Sequence, residues 1–336
     1  MPLLKIEKLT NILEAVFLNS RISKPNAREV SEAIVQAQAD GLESHGLARV
    51  ESYATQALAK KVDGLVSPSI LRIGTGALQV DARQGFAYPA INLGLKKAIE
   101  IAGESGVVGL SIKNSHHAGV LGHHVEQIAN AGYMGLGFTN SPSALMPWGG
   151  QKPIFGTNPI AFSCPRREAL PLIIDLSLSR VARGKIMLAA ENGEKIKEGW
   201  AVDSSGNPTL DAKAALEGSL LPIGGAKGAS LALIVEMLSA SLSGSQYGFE
   251  ASSFFSVEGG APNIGQFFLI INCSMFGGDM FSNRVETLME AILNQSGTRL
   301  PGLRRFTLRD NARKFGIEVS DSYLSVFREL ANSDEF

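Results

Sequence analysis

The segment Ser44-His45-Gly46-Leu47-Ala48-Arg49 contains a histidine and an arginine four residues apart. An arginine holds a carboxylate through two parallel hydrogen bonds, and a histidine beside it can exchange a proton with an oxygen on the adjacent carbon. Ser44 is predicted to begin a helix by accepting a hydrogen bond from a free backbone amide, which would put His45 and Arg49 on one face. The segment indicates proton transfer on a 2-oxo or 2-hydroxy acid, although a capping serine with a surface histidine and arginine has the same spacing.

Four of the chain's five histidines fall within Asn114–His124, at positions 116, 117, 123 and 124. A metal site is not predicted, because no cysteine or aspartate stands among them and Glu126 is the only nearby acid. The segment instead leads through polar and small residues into a helix, whose free N-terminal amides favour phosphate. A phosphate-binding loop and a capped surface helix are both compatible with this pattern.

Three further segments combine turn residues with polar side chains. The loop between residues 138 and 160 offers the hydroxyls of Ser141 and Thr157, and Asp175-Leu176-Ser177 follows a predicted strand and leads to Arg183-Gly184-Lys185. Lys227 stands between glycines at a helix start, as in anion-binding loops, but without Walker spacing. Each segment is also explained by itself as a turn or a helix start. No G-x-G-x-x-G pattern of Rossmann type follows a strand.

These segments must be positioned by helices at both ends of the chain and by strands between them. The apolar periodicity predicts helices at residues 7–18, 25–40, 44–60, 88–103, 228–241 and 279–295, with a helical tail after residue 303. Short β-rich runs predict strands at residues 71–73, 78–80, 107–112, 135–138, 160–163, 171–175 and 267–273. Because helices and strands do not alternate regularly, the pattern is typical of an α+β fold rather than of βαβ units.

Composition narrows the classes of function. With 45% hydrophobic residues, 19% charged residues and a net charge of -1, the 336-residue chain suits a globular fold and lacks the basic character of nucleic-acid-binding proteins. The two cysteines, Cys164 and Cys273, form no Cys-x-x-Cys pair, which disfavours zinc ribbons and redox dithiols. No apolar run reaches the length of a membrane span and no leader pattern is seen, so a cytoplasmic protein without membrane or nucleic-acid partners is expected.

In this order the five segments resemble the type-2 malate/L-lactate dehydrogenase family, from Ser44-His45-Gly46 to Arg299-Leu300-Pro301-Gly302. That family also includes ureidoglycolate, diketogulonate and sulfolactate dehydrogenases and reductases of cyclic imines. The resemblance implies a mostly antiparallel sheet that binds NAD or NADP in a non-Rossmann manner, and a homodimer with its site near the interface. It further implies a discontinuous helical domain for substrate binding and dimerisation, residues 1–113 with 300–336, and an NAD(P)-binding domain, residues 114–299.

The resemblance also implies roles for individual residues. His45 matches the family's proton donor and acceptor, with Ser44 supporting it, while His117 has that role in some members. Arg49 and Thr157 match contacts to the substrate carboxylate. The positions that match cofactor contacts are His117, Ala118, Gly119, Val120, Leu121, Ser141, Asp175, Leu176, Ser177, Lys227 and Gly302.

The chain departs from the cyclic-imine reductases at Lys185. Those enzymes use a Ser-His-acid relay whose carboxylate falls near Arg183-Gly184-Lys185 here. A lysine cannot orient a protonated histidine as a carboxylate does, but it can polarise a carbonyl oxygen, so Lys185 is a candidate catalytic residue. This favours interconversion of a small 2-oxo acid and its 2-hydroxy acid, such as malate, lactate or sulfolactate, by hydride transfer. The alternative is NADPH-dependent reduction of Δ1-pyrroline-2-carboxylate or Δ1-piperideine-2-carboxylate, and the choice between NAD and NADP stays open.

Overall fold

Seven strands form the central sheet of the protein, whose computed structural model describes residues 2–333. These strands are β2 (Ser69–Gly74), β3 (Ala77–Asp81), β4 (Val107–Ser115), β5 (Met134–Thr139), β6 (Ile160–Cys164), β7 (Leu172–Leu176) and β10 (Ile264–Ile271). Two short pairs lie outside this sheet: β1 (Leu3–Leu4) with β11 (Ile317–Glu318), and β8 (Ala201–Val202) with β9 (Ser219–Leu220).

The strand order β2-β3-β4-β10-β5-β6-β7 explains how distant segments meet. Among the described strands of this sheet every neighbouring pair is antiparallel except β3 and β4, which confirms a mixed fold with a mostly antiparallel sheet. Strands β4, β5 and β7 therefore run in the same direction, and the loops that follow them lie at one end of the sheet. Those loops contain His117, Ser141 and Ser177, three of the predicted site residues.

Helices flank the sheet and form both ends of the chain. They are α1 (Ile6–Asn19), α2 (Lys24–Ala39), α3 (Val50–Leu58), α4 (Ala87–Ser105), α5 (Leu121–Asn130), α6 (Arg183–Asn192), α7 (Ala212–Glu217), α8 (Ala226–Glu236), α9 (Cys273–Gly277), α10 (Met280–Leu293), α11 (Leu303–Phe315) and α12 (Asp321–Ala331). A π-helical turn, Met237–Ser241, continues α8. None of the helices within residues 2–333 combines the length and hydropathy needed to cross a membrane.

The helical ends of the chain share one hydrophobic core. Leu13 and Phe17 of α1 and Val319 and Phe327 of the C-terminal segment are fully buried in a single cluster, and β1 pairs with β11. Burial of a large apolar side chain contributes about 1.5–3 kcal/mol, so these contacts hold the two ends together. A second core lies between the sheet and helices α4 and α5.

The strand pairing bears on the predicted domain boundary at residue 113. Strands β2, β3 and β4 lie before or across that boundary but belong to the same sheet as β5, β6 and β7. A division at residue 113 would therefore cut hydrogen-bonded neighbours apart. The division into residues 1–113 with 300–336 and residues 114–299 stays a prediction, and residues 1 and 334–336 of it lie outside the described chain.

The predicted helix start at Ser44 is wrong. Two 3-10 turns, Glu43–His45 and Leu47–Arg49, precede α3, which begins at Val50. The helix does not extend back through Gly46, because this residue has φ -92° and ψ -133°, which are not helical. A Cβ there would stand 2.3 Å from the Gln38 Oε1 atom, so the position requires glycine. The serine hydroxyl is thereby free to contact a side chain rather than a backbone amide.

Helix α6 was not predicted from the sequence. In α6 only Ile186 and Ala189 are buried, so its residues do not form the apolar stripe by which an amphipathic helix is identified. The reason that it folds is tertiary, since both residues belong to a cluster that also contains Leu145 and Val235 from distant segments.

Candidate active site

Two histidines from distant segments face each other at the end of the sheet. The ring centroids of His45 and His117 are 5.5 Å apart and the rings are nearly parallel, at 26°. The Nδ1 atom of His45 lies 3.0 Å from the Ser44 hydroxyl, and that of His117 lies 2.6 Å from the Tyr53 hydroxyl. Within residues 2–333 neither Nε2 atom has a hydrogen-bond partner, so each histidine is held at one nitrogen and can meet a ligand with the other.

Tyr53 contacts His117 directly, and Tyr88 contacts Tyr53. Their hydroxyls are 3.2 Å apart and buried, and a Cβ on Gly119 would stand 2.4 Å from the Tyr88 hydroxyl. Gly119 also has φ +64°, a conformation that favours glycine. A larger residue at Gly119 would therefore displace Tyr88 and disturb His117 as well as the nearby backbone. Sequence reasoning did not identify Tyr53. The signal that could have found it is its position four residues after Arg49, because residues at this spacing share one face of a predicted helix.

Arg49 is buried beside this pair, with only 9% of its surface exposed. Its Nε atom donates to the Ser44 carbonyl at 2.7 Å, and its guanidinium carbon lies 4.6 Å from the centre of the Phe255 ring. One terminal nitrogen is buried without a partner in the described chain. An unpaired buried charge is unfavourable, so this nitrogen is suited to receive an anionic group of a ligand.

The surroundings of both histidines lower their pKa and so favour the neutral form in the free site. Desolvation lowers the pKa of His45 from its usual value to about 3, and the positive charge of Arg49 adds to the effect. The pKa of His117 is lowered well below its usual range, first by desolvation and then by Arg49 and His45. A neutral imidazole can accept a proton from a hydroxyl group. A bound carboxylate would offset the charge of Arg49 and so raise both pKa values toward those of a proton donor.

Three predicted residues meet where β5, β6 and β7 end or begin. The Thr157 amide donates to the Ser141 hydroxyl at 3.1 Å, and the Ser177 hydroxyl donates to the Thr157 carbonyl at 3.5 Å. A Cβ on Gly156 would stand 2.2 Å from the Ser141 hydroxyl oxygen, so glycine leaves room for that hydroxyl. We call the group formed by Ser141, Thr157 and Ser177 the cradle. Among the described residues no hydrogen bond joins Thr157 to Arg49.

Asp175 belongs to β7, and Gly302 packs against the backbone of the same strand. The Asp175 carboxylate accepts a hydrogen bond from the Gly122 amide at 2.7 Å, in the first turn of α5. A Cβ on Gly302 would stand 2.8 Å from the Ile173 carbonyl oxygen. The Gly122 amide of the predicted phosphate loop is therefore already bound to protein. The amides of residues 117–121 are the candidates for binding phosphate. Leu176, which follows Asp175, is 41% exposed.

The two predicted lysines lie at helix starts in different places. A Cβ on Gly184 would stand 3.7 Å from the Ser44 Cβ atom, so the segment containing the exposed Lys185 lies beside the histidine pair. Lys227 is exposed in the first turn of α8, next to Gly225, whose Cβ would stand 3.1 Å from the Trp148 ring. Within residues 2–333 no hydrogen bond joins Lys227 to residues 117–121.

The remaining histidines of the cluster have protein partners. The Nε2 atom of His116 lies 2.9 Å from Gln56, that of His123 lies 2.8 Å from the Asp40 carboxylate, and that of His124 donates to the Ala118 carbonyl at 2.8 Å. The part of the chain that the structure describes contains no group of three or more His, Cys, Asp or Glu side chains arranged to hold a metal ion.

A buried ionic network connects the segments that contain the two histidines. Sequence reasoning did not identify it. Arg309 of α11 donates two hydrogen bonds of 2.7 Å to Asp40 and also contacts Glu126, which accepts from Arg305 at 2.8 Å. Asp40 lies four residues before Ser44, and Glu126 lies in α5, the helix that follows the His117 loop. The network therefore fixes the two histidine-bearing segments relative to each other.

Comparison with known proteins identifies relatives along almost the whole chain. The sequence model of the malate/L-lactate dehydrogenase family matches residues 4–328. The chain is 48% identical over 307 residues to the (2R)-3-sulfolactate dehydrogenase (NADP(+)) of Chromohalobacter salexigens, covering 91% of both chains. It is 36% identical to a Δ1-pyrroline-2-carboxylate/Δ1-piperideine-2-carboxylate reductase of Pseudomonas putida, covering 96% of this chain and 95% of the relative.

Solved structures agree with these similarities. The Δ1-piperideine-2-carboxylate reductase of Pseudomonas syringae pv. tomato has a TM-score of 0.94 at 34% identity, covering 98% of this chain and all of the other. The sulfolactate dehydrogenase of Methanocaldococcus jannaschii has a TM-score of 0.90 at 29% identity, covering 98% of this chain and 97% of the other. Enzymes acting on hydroxy acids and on cyclic imines thus share this fold.

Proposed function

We propose that this chain, which belongs to the malate/L-lactate dehydrogenase family, interconverts a 3-sulfolactate-type 2-hydroxy acid and its 2-oxo acid with NADP. It is an NAD(P)-dependent oxidoreductase of a small hydroxy acid. The observation that carries the reaction is the terminal nitrogen of Arg49, which has no partner in the described chain, beside the stacked rings of His45 and His117. The substrate is supported by the 48% identity to an NADP-dependent sulfolactate dehydrogenase.

The proposed mechanism assigns a separate task to each side chain. NADPH, when bound, supplies the hydride that the C2 carbon of the 2-oxo acid receives. Arg49 binds the substrate carboxylate, with Thr157 as the second predicted contact. Once the bound carboxylate has offset the charge of Arg49, protonated His45 delivers the proton from its Nε2 atom to the oxygen, while Ser44 orients the ring through Nδ1. His117 is the second candidate for this proton transfer, and Lys185 polarises the same oxygen from the neighbouring segment.

We propose that the cofactor binds at this end of the sheet without a Rossmann motif. The cradle contains hydroxyls of Ser141 and Ser177, and the loop of residues 117–121 offers backbone amides before α5. Hydroxyls and amides of this kind bind ribose and phosphate oxygens. We therefore propose these groups as cofactor contacts, together with Asp175, Leu176, Lys227 and Gly302.

Measuring a panel of substrates tests this proposal directly. With NADPH, we expect the 2-oxo acid of 3-sulfolactate to be reduced with the highest kcat/KM, ahead of oxaloacetate and pyruvate, as followed by absorbance of the reduced nicotinamide. The same panel should be run with NADH. A kcat/KM that is highest for a 2-oxo acid without a distal anionic group would contradict the substrate, and absence of activity on every 2-oxo acid would contradict the reaction.

The second candidate function is reduction of a cyclic imine carboxylate. It is favoured by the TM-score of 0.94 to a Δ1-piperideine-2-carboxylate reductase. Lys185 argues against it, because a lysine beside Ser44 cannot stabilise a protonated histidine as a carboxylate can. Including Δ1-piperideine-2-carboxylate in the panel separates the two functions, since only this alternative makes the imine the better substrate.

We further propose a cytoplasmic homodimer. Leu231, Leu233, Ile234 and Met237 are each 41–57% exposed along α8 and the turn that follows it. Contiguous apolar surface of this kind is typical of subunit interfaces, and sedimentation equilibrium measures whether two chains associate. The cytoplasmic location is proposed from the requirement for NADP(H).

The charge of Lys227 gives a prediction for cofactor binding. Replacing Lys227 with alanine should raise the Kd of NADPH about three- to tenfold, and more at low ionic strength, because an exposed ammonium acts through a screened charge. Thermal-shift titration reports the change, since a ligand of the folded state raises Tm. Lys8→Ala, which removes an exposed lysine from α1, is the control. An unchanged Kd at low salt would remove Lys227 from the cofactor site.

A further inference from the structure

Residues 253–258 form a loop without regular secondary structure that contacts Arg49 and His117. We call it the aromatic loop. Phe254 is 5% exposed, and its ring centroid lies 4.9 Å from that of His117. Phe255 lies beneath the Arg49 guanidinium, 4.6 Å from the ring centre. The loop therefore contacts the group proposed to bind the carboxylate and one of the two groups proposed to move the proton.

A buried lysine from a different part of the chain holds this loop. The Lys61 ammonium donates to the carbonyls of Ser253 at 2.8 Å, Ser256 at 2.9 Å and Glu258 at 2.5 Å. An ammonium has three donors, so each of them is directed to the aromatic loop. Lys61 is only 3% exposed, and burying a charge is unfavourable unless it is well bonded. An apolar residue would fill this space at lower cost if packing were the only requirement.

A buried glutamine links the same loop to the histidine segment. Gln56 donates from Nε2 to the Phe254 carbonyl at 2.7 Å, and its Oε1 atom lies 2.9 Å from the His116 ring nitrogen. Gln56 is on α3, the helix that also contains Tyr53. One helix therefore contacts His117 directly through Tyr53 and indirectly through the loop that Gln56 holds.

We propose that Lys61 and Gln56 are positioning residues for the reaction. By holding the aromatic loop, they keep Phe255 against one face of Arg49, so that the unpartnered edge of the guanidinium is directed at the substrate carboxylate. They also keep Phe254 over His117, which excludes water from the histidine pair. The proposal rests on the roles assigned above to Arg49 and the histidines.

Substitution of Lys61 tests the proposal. In Lys61→Met, which keeps the chain length but removes the three donors, hydrogen exchange of the amides of residues 253–258 should accelerate. The kcat/KM for the 2-oxo acid should fall about tenfold, mainly through a higher KM, because the orientation of a charged contact is lost. The NADPH Kd should not change. Lys61→Arg should recover part of the loss, and Lys60→Met, the same change at an exposed neighbour, should behave as wild type.

A second variant keeps the proposal testable if Lys61→Met does not fold. Phe255→Leu leaves the lysine and glutamine contacts intact and should raise the same KM about tenfold without altering the NADPH Kd. A wild-type KM in Phe255→Leu, or in a folded Lys61→Met, would overturn the proposal. If Arg49→Lys also has a wild-type kcat/KM, the proposed function itself fails; if Arg49→Lys is impaired, only the positioning role fails.

Discussion

Replacing His45 with alanine should lower kcat by about a hundred- to ten-thousandfold, the range for a positioned proton-transfer group. The histidine is the only group of its segment that can move a proton at the substrate oxygen, and its Nε2 atom lacks a partner in the described chain while Nδ1 is held by Ser44. The affinity for NADPH should change little. Steady-state kinetics in both directions, with cofactor Kd measured separately, checks this prediction.

The two stacked histidines make a paired control necessary. Each has its own supporting hydroxyl, Ser44 for His45 and Tyr53 for His117. If His45 transfers the proton, Ser44→Ala should reduce kcat more than Tyr53→Phe does, because loss of the Nδ1 partner leaves the ring without its orientation. The reverse order, together with near-wild-type kcat in His45→Ala and a large loss in His117→Ala, would assign the role to His117.

Replacing Arg49 with lysine should reduce kcat/KM for the 2-oxo acid about ten- to a hundredfold, although the positive charge is kept. Lysine lacks the planar fork, so it cannot donate to the Ser44 carbonyl, lie flat on Phe255 and bind a carboxylate at once. Loss of a charge-assisted hydrogen bond is worth about 1.5–3 kcal/mol, which corresponds to this range.

The measurement for Arg49→Lys is kcat/KM, with Tm recorded to establish that the variant is folded. Arg28→Lys is the matched control, since Arg28 makes its ion pairs with Glu14 and Glu32 at the surface. An unchanged kcat/KM in Arg49→Lys would remove this residue from the substrate site and, with it, the basis of the proposed function.

Strong local patterns predicted much of the fold. The amphipathic helices near residues 7–18 and 25–40 were identified because apolar side chains recur at helical spacing, and α1 and α2 bury those residues. The runs at 160–163 and 171–175 were predicted as strands and form β6 and β7, which pair with each other. The predicted helix start at Ser44 was wrong, since Gly46 is not helical and the Leu47 amide donates to Gln38, a residue from the preceding helix.

The sequence by itself determined which segments contain the chemistry, because Ser44, His45 and Arg49 are neighbours in the chain and the family motifs occur in their expected order. Only the tertiary structure decided what surrounds them. Tyr53 meets His117 across 64 positions and Gln56 meets Phe254 across 198, and local periodicity contains no information about such pairs. They are set by strand order, which brings the loops after β4, β5 and β7 to one end of the sheet, and by the packing of α3 against them.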